Sequence, residues 1–514
     1  MTALIRPSSL QSLTATDRAL FQRFGPGKAA GVPFRRIHDA VLAQAQARPD
    51  APAVMHSGES LTYAELDRRS ASLAAALAGL GVRPGHHVGL FLTRSIPMVV
   101  GILAVLRAGA AYVPQDIRIT PAPQLRHIVA TAGIDVVLTT REHAGALPAG
   151  LGRVVAIDGE HPPHDRCAPP PAVGGGTAMV IFTSGTTGRP NGVQVTHANL
   201  GNVLLTAPGS LGIRPGDRVA QLLNIAFDMA AWEILGTLSH GGCLVIRGKD
   251  IEETARTADV LIATPGVLST VDPRACPRVR TVAVAGERCP AALAEAWSWR
   301  ASFHNACGPT EVTIVNTVQR YDPRLGELTI GRPVPNTTVY VLDDELRPCA
   351  IGQAGEMWAG GACVTAGYAG NDVLTAERYR PDPFLGGAHR MFRTRDLVRW
   401  TADGQLEHHG RADDQVKVRG FRVELDAVTA TLERAPGCER AATVLYDGGL
   451  VGFVTPSTAE PELIRRSAEA ALPYYSVPAM IVPVDHLPLT ERGKVDRRAL
   501  LSRLDSREPA ETVA

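Results

Sequence analysis

From Val88 to Val284 short runs of β-branched and aliphatic residues alternate with stretches of helical spacing, and no other feature of the chain constrains its fold as strongly. Val88 to Leu92 predicts a strand and Ser95 to Leu106 the helix after it. Asp135 to Thr139, Val154 to Ile157, Ala178 to Thr183, Val219 to Leu223, Cys243 to Arg247, Val260 to Ala263 and Thr281 to Val284 predict further strands. Strands separated by helices imply parallel sheets covered on both faces, because a parallel connection must cross over and a helix is the usual way to do it. Upstream, His38 to Leu80 has mostly helical apolar spacing. Beyond Leu328 the pattern changes to short strands and turns (TVYVLD, GEMWAGG, LVRW, GQLEHHG), which predicts a β-rich subdomain. The fold class expected is therefore α/β, with a large N-terminal domain of parallel-rich sheets and helices plus the β-rich subdomain, followed by a small mobile α+β C-terminal domain.

The boundary falls near Gly410 to Asp414. We expect an N-terminal extension over 1–34 ending in the breaker-rich FGPGKAAGVP, a large core over 35–410, a small lid domain over 411–505 and a mobile tail over 506–514. The proline-rich HPPHDRCAPPPAVGGG reads as a loop.

Residues Val180 to Asn199 (VIFTSGTTGRPNGVQVTHAN) pass from an apolar run into a loop of glycines and hydroxyls. Thr183, Ser184, Thr186 and Thr187 supply hydroxyl donors, and Gly185 and Gly188 let backbone N–H groups approach a polyphosphate without Cβ interference. The segment lacks the G-x-x-x-x-G-K-[ST] pattern of a P-loop. Taken alone it is equally the composition of an ordinary surface turn.

A length of 514 residues predicts about three domains. Lys plus Arg number 52 against 51 Asp plus Glu, so no net field favours nucleic acid or an anionic membrane, and a small molecule or a protein is the expected partner. The eight cysteines include no C-x-x-C pair and no zinc-like spacing, which fits a reducing compartment. The N-terminus lacks the basic start and apolar stretch of a secretory signal, and no run approaches the length of a membrane span, so a cytoplasmic protein is expected.

Read in order, Leu61 to Leu66 (LTYAEL), Leu106 to Pro114 (LRAGAAYVP), the hydroxyl-rich loop, Phe227 to Glu233 (FDMAAWE), Asn305 to Glu311 (NACGPTE), Gly355 to Gly361 (GEMWAGG), Phe392 to Asp396 (FRTRD), Gly410 to Leu425 (GRADDQVKVRGFRVEL), Leu472 to Pro478 (LPYYSVP) and Gly493 to Arg497 (GKVDR) form one series. Each is weak alone. Together they resemble, in family order over residues 35 to 500, the adenylation domains of nonribosomal peptide synthetases. That family belongs to the adenylate-forming enzymes, with the acyl-CoA synthetases and luciferase.

The resemblance implies roles residue by residue. Lys494 matches the lysine that bridges substrate carboxylate and phosphate. Thr310 and Glu311 match the pair that touches the α-phosphate and holds Mg²⁺, a cation preferring carboxylate and phosphate oxygens. Asp396 matches the aspartate that accepts both ribose hydroxyls, and Arg411 an arginine beside it. Thr183, Ser184, Gly185, Thr186, Thr187 and Gly188, with Gly286, Glu287, Asn305 and Cys307, complete the implied ATP site. Asp413 marks the hinge about which the small domain turns after adenylation. Lys494 then leaves, and the segment around Lys417 to Phe421 opens a tunnel for a pantetheine thiol. HHGRAD is similar to the histidine pair of a condensation domain, but the Asp-Gly required there is missing.

Asp228 matches the aspartate that pairs with a substrate ammonium, and a carboxylate in the apolar context FDMAAW is costly without a cationic partner. An N-cap at the start of a helix is the alternative. The remaining pocket positions carry over as Met229, Trp232, Ala263, Ala283, Ala285, Ala306, Ile314 and Val315, an apolar lining nearest to phenylalanine-type pockets, although Met229 is larger than the residue usual there. Three positions depart from the family. Asn191 stands in place of a lysine, Cys307 in place of the tyrosine that stacks on adenine, and Arg395 in place of the glycine of T-G-D, so weak ATP binding is expected.

The expected activity is that of a stand-alone enzyme that converts a phenylalanine-like or bulky aliphatic amino acid and ATP, with Mg²⁺, to aminoacyl-AMP and pyrophosphate. The aminoacyl group then passes to the phosphopantetheine thiol of a separate carrier protein in natural-product, antibiotic-type biosynthesis. No carrier serine motif follows the small domain. The alternatives are an acyl-CoA ligase using free coenzyme A, an enzyme specific for β-amino acids, and a catalytically weak nucleotide-binding module.

Overall fold

A computed structural model describes residues 10–159, 176–185, 189–324, 326–489 and 495–505. The loop expected at HPPHDRCAPPPAVGGG, apart from Gly176, and the tail 506–514 lie outside them. The chain divides into two compact units, one of Met1–Ile117, Ile128–Phe182 and Gly192–Ala412, the other of Arg118–His127, Thr183–Asn191 and Asp413–Ala514.

The first unit is built on three sheets. One has six strands in the order Arg153–Ala156, Val136–Thr139, His87–Phe91, Ala111–Gln115, Thr177–Thr183, Asn191–Thr196, and is parallel over the first five. The second has nine, with Pro52–His56, Cys243–Ile246, Arg218–Gln221, Val260–Ala263, Thr281–Val284 and Ser302–Cys307 mutually parallel, and antiparallel strands at both edges. The α/β expectation holds strand by strand. Ile96–Arg107 is buried along nearly its whole circumference, as its sequence IPMVVGILAVLR requires of a helix with no polar face. It starts at Pro97 in the first turn with Ser95 as N-cap, the hydroxyl accepting from Met98 N–H at 3.2 Å. Within it Gly101 permits the closest approach to the sheet, since a Cβ there would stand 2.7 Å from Leu90 and 2.8 Å from Ile157.

The helical expectation for His38 to Leu80 is corrected. Helices Ile37–Ala47 and Tyr63–Gly79 are separated by the hairpin Pro52–His56 and Glu59–Thr62. Its two turn residues, Ser57 at φ 49° and Gly58 at φ 86°, are left-handed, as the tight turns compatible with strand twist demand. The Ser-Gly pair was the signal. The second helix opens on a capping box, Thr62 Oγ1 accepting from Glu65 N–H and the Glu65 carboxylate from Thr62 N–H, and this is the physical content of the LTYAEL segment.

The β-rich sheet is antiparallel, with Thr337–Leu342, Gly355–Gly361, Arg390–Trp400 and Tyr379–Pro381 in order and Leu406–Arg411 paired to Arg390–Trp400. The N-terminal helix Ala15–Phe24 packs on it, Phe21 stacking on Tyr340 with centroids 6.0 Å apart and Phe24 lying 5.9 Å from Trp400.

The second unit is α+β. The hairpin Arg440–Tyr446 and Gly449–Thr455 takes Met480–Pro483 as a parallel third strand, and helices Leu425–Leu432 and Pro461–Ala471 share its apolar core. Gln415–Val418 and Phe421–Glu424 form a two-stranded ribbon turned by Arg419 and Gly420, both left-handed, so the segment Lys417 to Phe421 is a hairpin tip.

Three buried imidazoles set an acid limit on the first unit. Burial, then the charge of His197, holds His38 down at about 2, burial and Arg36 bring His197 to about 4, and burial with Arg320 brings His304 to about 4. A histidine depressed in the fold binds its proton only after unfolding, so its stabilisation is complete above the unfolded value near 6.5 and is lost as the pH falls. At pH 5 each costs about 2 kcal/mol. Stability measured at pH 7 and pH 5 should fall steeply between them, and the fall should be smaller by about that amount in His38→Gln. An unchanged difference would contradict the burial argument.

Candidate functional site

The strand Thr177–Thr183 carries the hydroxyl-rich loop at its C-terminal end, where ligand sites of parallel sheets form. Thr183 is buried, and Ser184 donates from its hydroxyl to the Arg422 carbonyl at 3.1 Å within the second unit. Only glycine fits at 185, because a Cβ would lie 2.3 Å from the Arg189 carbonyl oxygen and 2.6 Å from Asn191 Nδ2. Asn191, in the place of a lysine, packs its amide under the loop. Thr186, Thr187, Gly188 and Lys494 lie outside the described residues.

Asp228 begins the helix Met229–Ser239, is 8 % exposed, and makes no side-chain cap, so the N-cap alternative does not account for it. Burial, and then the charge of Asp228, push the Tyr112 phenol above its ordinary range, so it stays un-ionised; both side chains are buried. The loop before Asp228 is held by Glu233, whose carboxylate accepts Leu222 N–H at 2.7 Å and Leu223 N–H at 3.1 Å. Burial pushes Glu233 up to about 8 despite these bonds. Asn224 Nδ2 donates to Asp116 at 2.8 Å while Asn224 Oδ1 accepts Ala226 N–H at 2.9 Å, so the turn that presents Asp228 is fixed at both ends.

Met229, Trp232, Ala283, Ala285, Ala306, Ile314 and Val315 fall into one apolar cluster. Trp232 is anchored by its indole N–H on the Gly209 carbonyl at 2.6 Å. Ala263 falls in a different apolar cluster. It belongs to a second cluster with Leu261, Val282 and Val284, because the period of two along Val260–Ala263 turns Ile262 to the first side and Ala263 to the other. Thr313 at φ 61° and Ile314 at φ 68° are left-handed in succession, and a β-branched residue there is strained, which puts stored strain beside the cluster.

Thr310 and Glu311 form a 3₁₀ turn, with Glu311 1 % exposed and its Oε1 accepting the Tyr368 hydroxyl at 2.8 Å. Among the described residues no group of three or more His, Cys, Asp or Glu could hold a metal ion. A single buried carboxylate fits a divalent cation that brings the rest of its oxygen ligands with it on a phosphate chain. Asn305 donates from Nδ2 to the Thr329 carbonyl at 2.6 Å, and Cys307 is half-buried against the cluster of Phe24 and Ile330. Gly286 is left-handed at φ 88°, and Glu287 accepts Gly266 N–H at 2.8 Å.

Asp396 and Arg411 face each other across paired strands, Arg411 Nη1 2.8 Å from Asp396 Oδ1. His408 Nε2 stands 3.3 Å from the same oxygen. Because His408 Nδ1 accepts Gly410 N–H at 3.3 Å, the neutral ring carries its proton on Nε2 and donates to Asp396. Burial alone would raise the Asp396 carboxyl, but the His408 hydrogen bond and the Arg411 charge outweigh it and hold the carboxyl below its ordinary value. His408, its sequence signal hidden in HHGRAD, and Tyr368 were not among the expected site residues.

Arg395 sits at φ 63°, so the position is left-handed and glycine is its natural occupant. Arg395→Gly should stabilise the protein by about 1 kcal/mol, as measured by the urea midpoint. A lower midpoint would mean that contacts of the guanidinium outweigh the strain.

A family model described as AMP-binding enzyme matches residues 41–369. An adenylate-forming reductase of Coprinopsis cinerea is 46% identical over 96% of this chain and 49% of its own length. The chain thus spans about half of that relative. Novobiocin biosynthesis protein H of Streptomyces niveus is 36% identical over 90% of this chain and 82% of its own. The fold matches a solved NRPS protein containing adenylation and PCP domains, bound to a vinylsulfonamide inhibitor, with TM-score 0.82 and 26% identity over 91% of this chain and 84% of that one. The chain therefore belongs to the AMP-binding, adenylate-forming enzymes and is related to the adenylation domains of nonribosomal peptide synthetases.

Proposed function

We propose that this adenylate-forming enzyme activates an amino acid with a bulky uncharged side chain and passes it to the phosphopantetheine thiol of a carrier protein. Asp228 carries the reading: a buried carboxylate at the start of the helix Met229–Ser239, beside an apolar cluster, in the position where the resemblance expects the partner of a substrate ammonium. Met229, Trp232, Ala283, Ala285, Ala306, Ile314 and Val315 surround the side chain. Asp396 and Arg411 hold the ribose, and Thr183 to Gly188 with Thr310 hold the phosphates. Glu311 would hold Mg²⁺, which would neutralise charge on the ATP phosphates. Lys494 neutralises the substrate carboxylate and α-phosphate as they approach. A carboxylate oxygen attacks the α-phosphorus and pyrophosphate leaves. The small domain then turns about Asp413, the thiol sulfur attacks the acyl carbon, AMP leaves, and the thiol proton passes to solvent.

The similarity to an adenylate-forming reductase supports a second reading, in which the activated acyl group is destined for reduction by a further domain. The adenylation step is common to both. Trapping with hydroxylamine in the presence of ATP and Mg²⁺ tests the substrate class. Mass spectrometry should find hydroxamates of phenylalanine-like or branched aliphatic amino acids, and hydroxamates of acids lacking an amino group alone would defeat the reading.

A further inference from the structure

The stretch 365–369 ties together two parts of the site that are remote in sequence. Through its backbone it pairs with the strand that leaves the hydroxyl-rich loop. Ala366 N–H donates to the Gln194 carbonyl at 2.9 Å, Gln194 N–H to the Gly367 carbonyl at 2.9 Å, and Ala369 N–H to the Gly192 carbonyl at 2.7 Å, with Val193 and Tyr368 bridged between them. Toward the other side it holds Glu311 twice. Thr365 N–H donates to the Glu311 carbonyl at 3.1 Å, and the Tyr368 hydroxyl donates to Glu311 Oε1 at 2.8 Å. Tyr368 is itself fixed, its N–H donating to Thr375 Oγ1 at 2.9 Å and its ring lying edge-on to Tyr379 at 5.6 Å. Tyr368 and Glu311 are both buried, at 5 % and 1 % exposure, so water does not compete well for this bond.

We propose that Tyr368 is a positioning residue that orients the Glu311 carboxylate for the divalent cation of the nucleotide and couples it to the strand Asn191–Thr196 leaving the phosphate loop. The inference rests on the assignment of Glu311 to the cation. A hydroxyl held on one carboxylate oxygen fixes the plane of the group, so that the cation meets a carboxylate already turned toward it. Partners that orient a metal ligand typically change metal affinity by about 10- to 100-fold when removed.

The test is the affinity of the full chain for Mn²⁺–ATP, read from the electron paramagnetic resonance of free Mn²⁺, beside its affinity for ATP in EDTA. Tyr368→Phe should weaken Mn²⁺–ATP binding by about 10-fold or more while leaving metal-free ATP binding unchanged. Thr375→Val, which removes the acceptor of the Tyr368 N–H, should shift it in the same direction. Tyr379→Phe, which keeps the ring and removes the 2.7 Å bond to Thr365 Oγ1, should not. Equal Mn²⁺–ATP affinity in Tyr368→Phe and the parent would overturn the proposal, as would a matching loss of metal-free binding. Where Tyr368→Phe does not fold, an unchanged Thr375→Val overturns it in the same way. Glu311→Gln separates the two levels. If it keeps full Mn²⁺–ATP affinity, the assignment of Glu311 fails. If it loses affinity and Tyr368→Phe does not, only the coupling fails.

Discussion

Lys494→Ala should lower adenylate formation by about 100-fold or more and leave acyl transfer from a preformed adenylate nearly intact. Two anions, the substrate carboxylate and the α-phosphate, must come into contact for the first step. A cation between them stabilises the transition state more than the separated reactants, which is the condition for catalysis. In the second step the nucleophile is a sulfur, the carboxylate charge has gone, and the resemblance places the lysine away from the site. Single-turnover transfer from a synthetic aminoacyl adenylate measures that step by itself. A transfer rate reduced as much as the first step would contradict a role confined to adenylation.

Asp228→Ala should be nearly as damaging, and for a different reason. A substrate ammonium brought to this buried position would be left without its counter-charge. Removing one partner of a buried pair costs about 3 to 5 kcal/mol, or about 150- to 5000-fold in kcat/KM. The same variant should lose its discrimination against analogues lacking the amino group, because the penalty for omitting the ammonium disappears with the carboxylate. Steady-state rates on an amino acid and on its desamino analogue check both statements. An amino acid rate that survives the substitution would remove Asp228 from the substrate.

Eight of the parallel strands were legible because each is a short aliphatic run with helical spacing beside it, and they fall within a residue or two of where the runs begin and end; Ala111–Gln115 and Ser302–Cys307, mixed in composition, were not read as strands. The hairpin at Pro52–His56 and Glu59–Thr62 was missed because its strands are short and lie between two helices, and the breakers Pro49, Pro52 and Ser57-Gly58 that interrupt the helical period there were not weighed. Asp228, Glu311 and Asp396 were named from motif order, and each is buried. What motif order could not supply is direction. Motif order named Ala263, and strand alternation sets it in a different apolar cluster from Ala283. Tyr368 was passed over because its contact with Glu311 spans 57 residues of sequence, and His408 because only the pairing of two strands sets it beside Asp396. The substitution of Arg395 for glycine was visible in the sequence, but its cost follows from the left-handed backbone.

The central claim, activation of an amino acid by adenylation at Asp228 and Lys494, is tested most directly by amino-acid-dependent ATP–pyrophosphate exchange across a panel of α-amino acids, β-amino acids, aryl acids and fatty acids. Exchange should be strongest with phenylalanine-like or bulky aliphatic amino acids. It should be weak with polar side chains, which would give up water without replacement hydrogen bonds at a cost of about 1 to 3 kcal/mol. Exchange that depends on benzoic or fatty acids and ignores every amino acid would contradict the account.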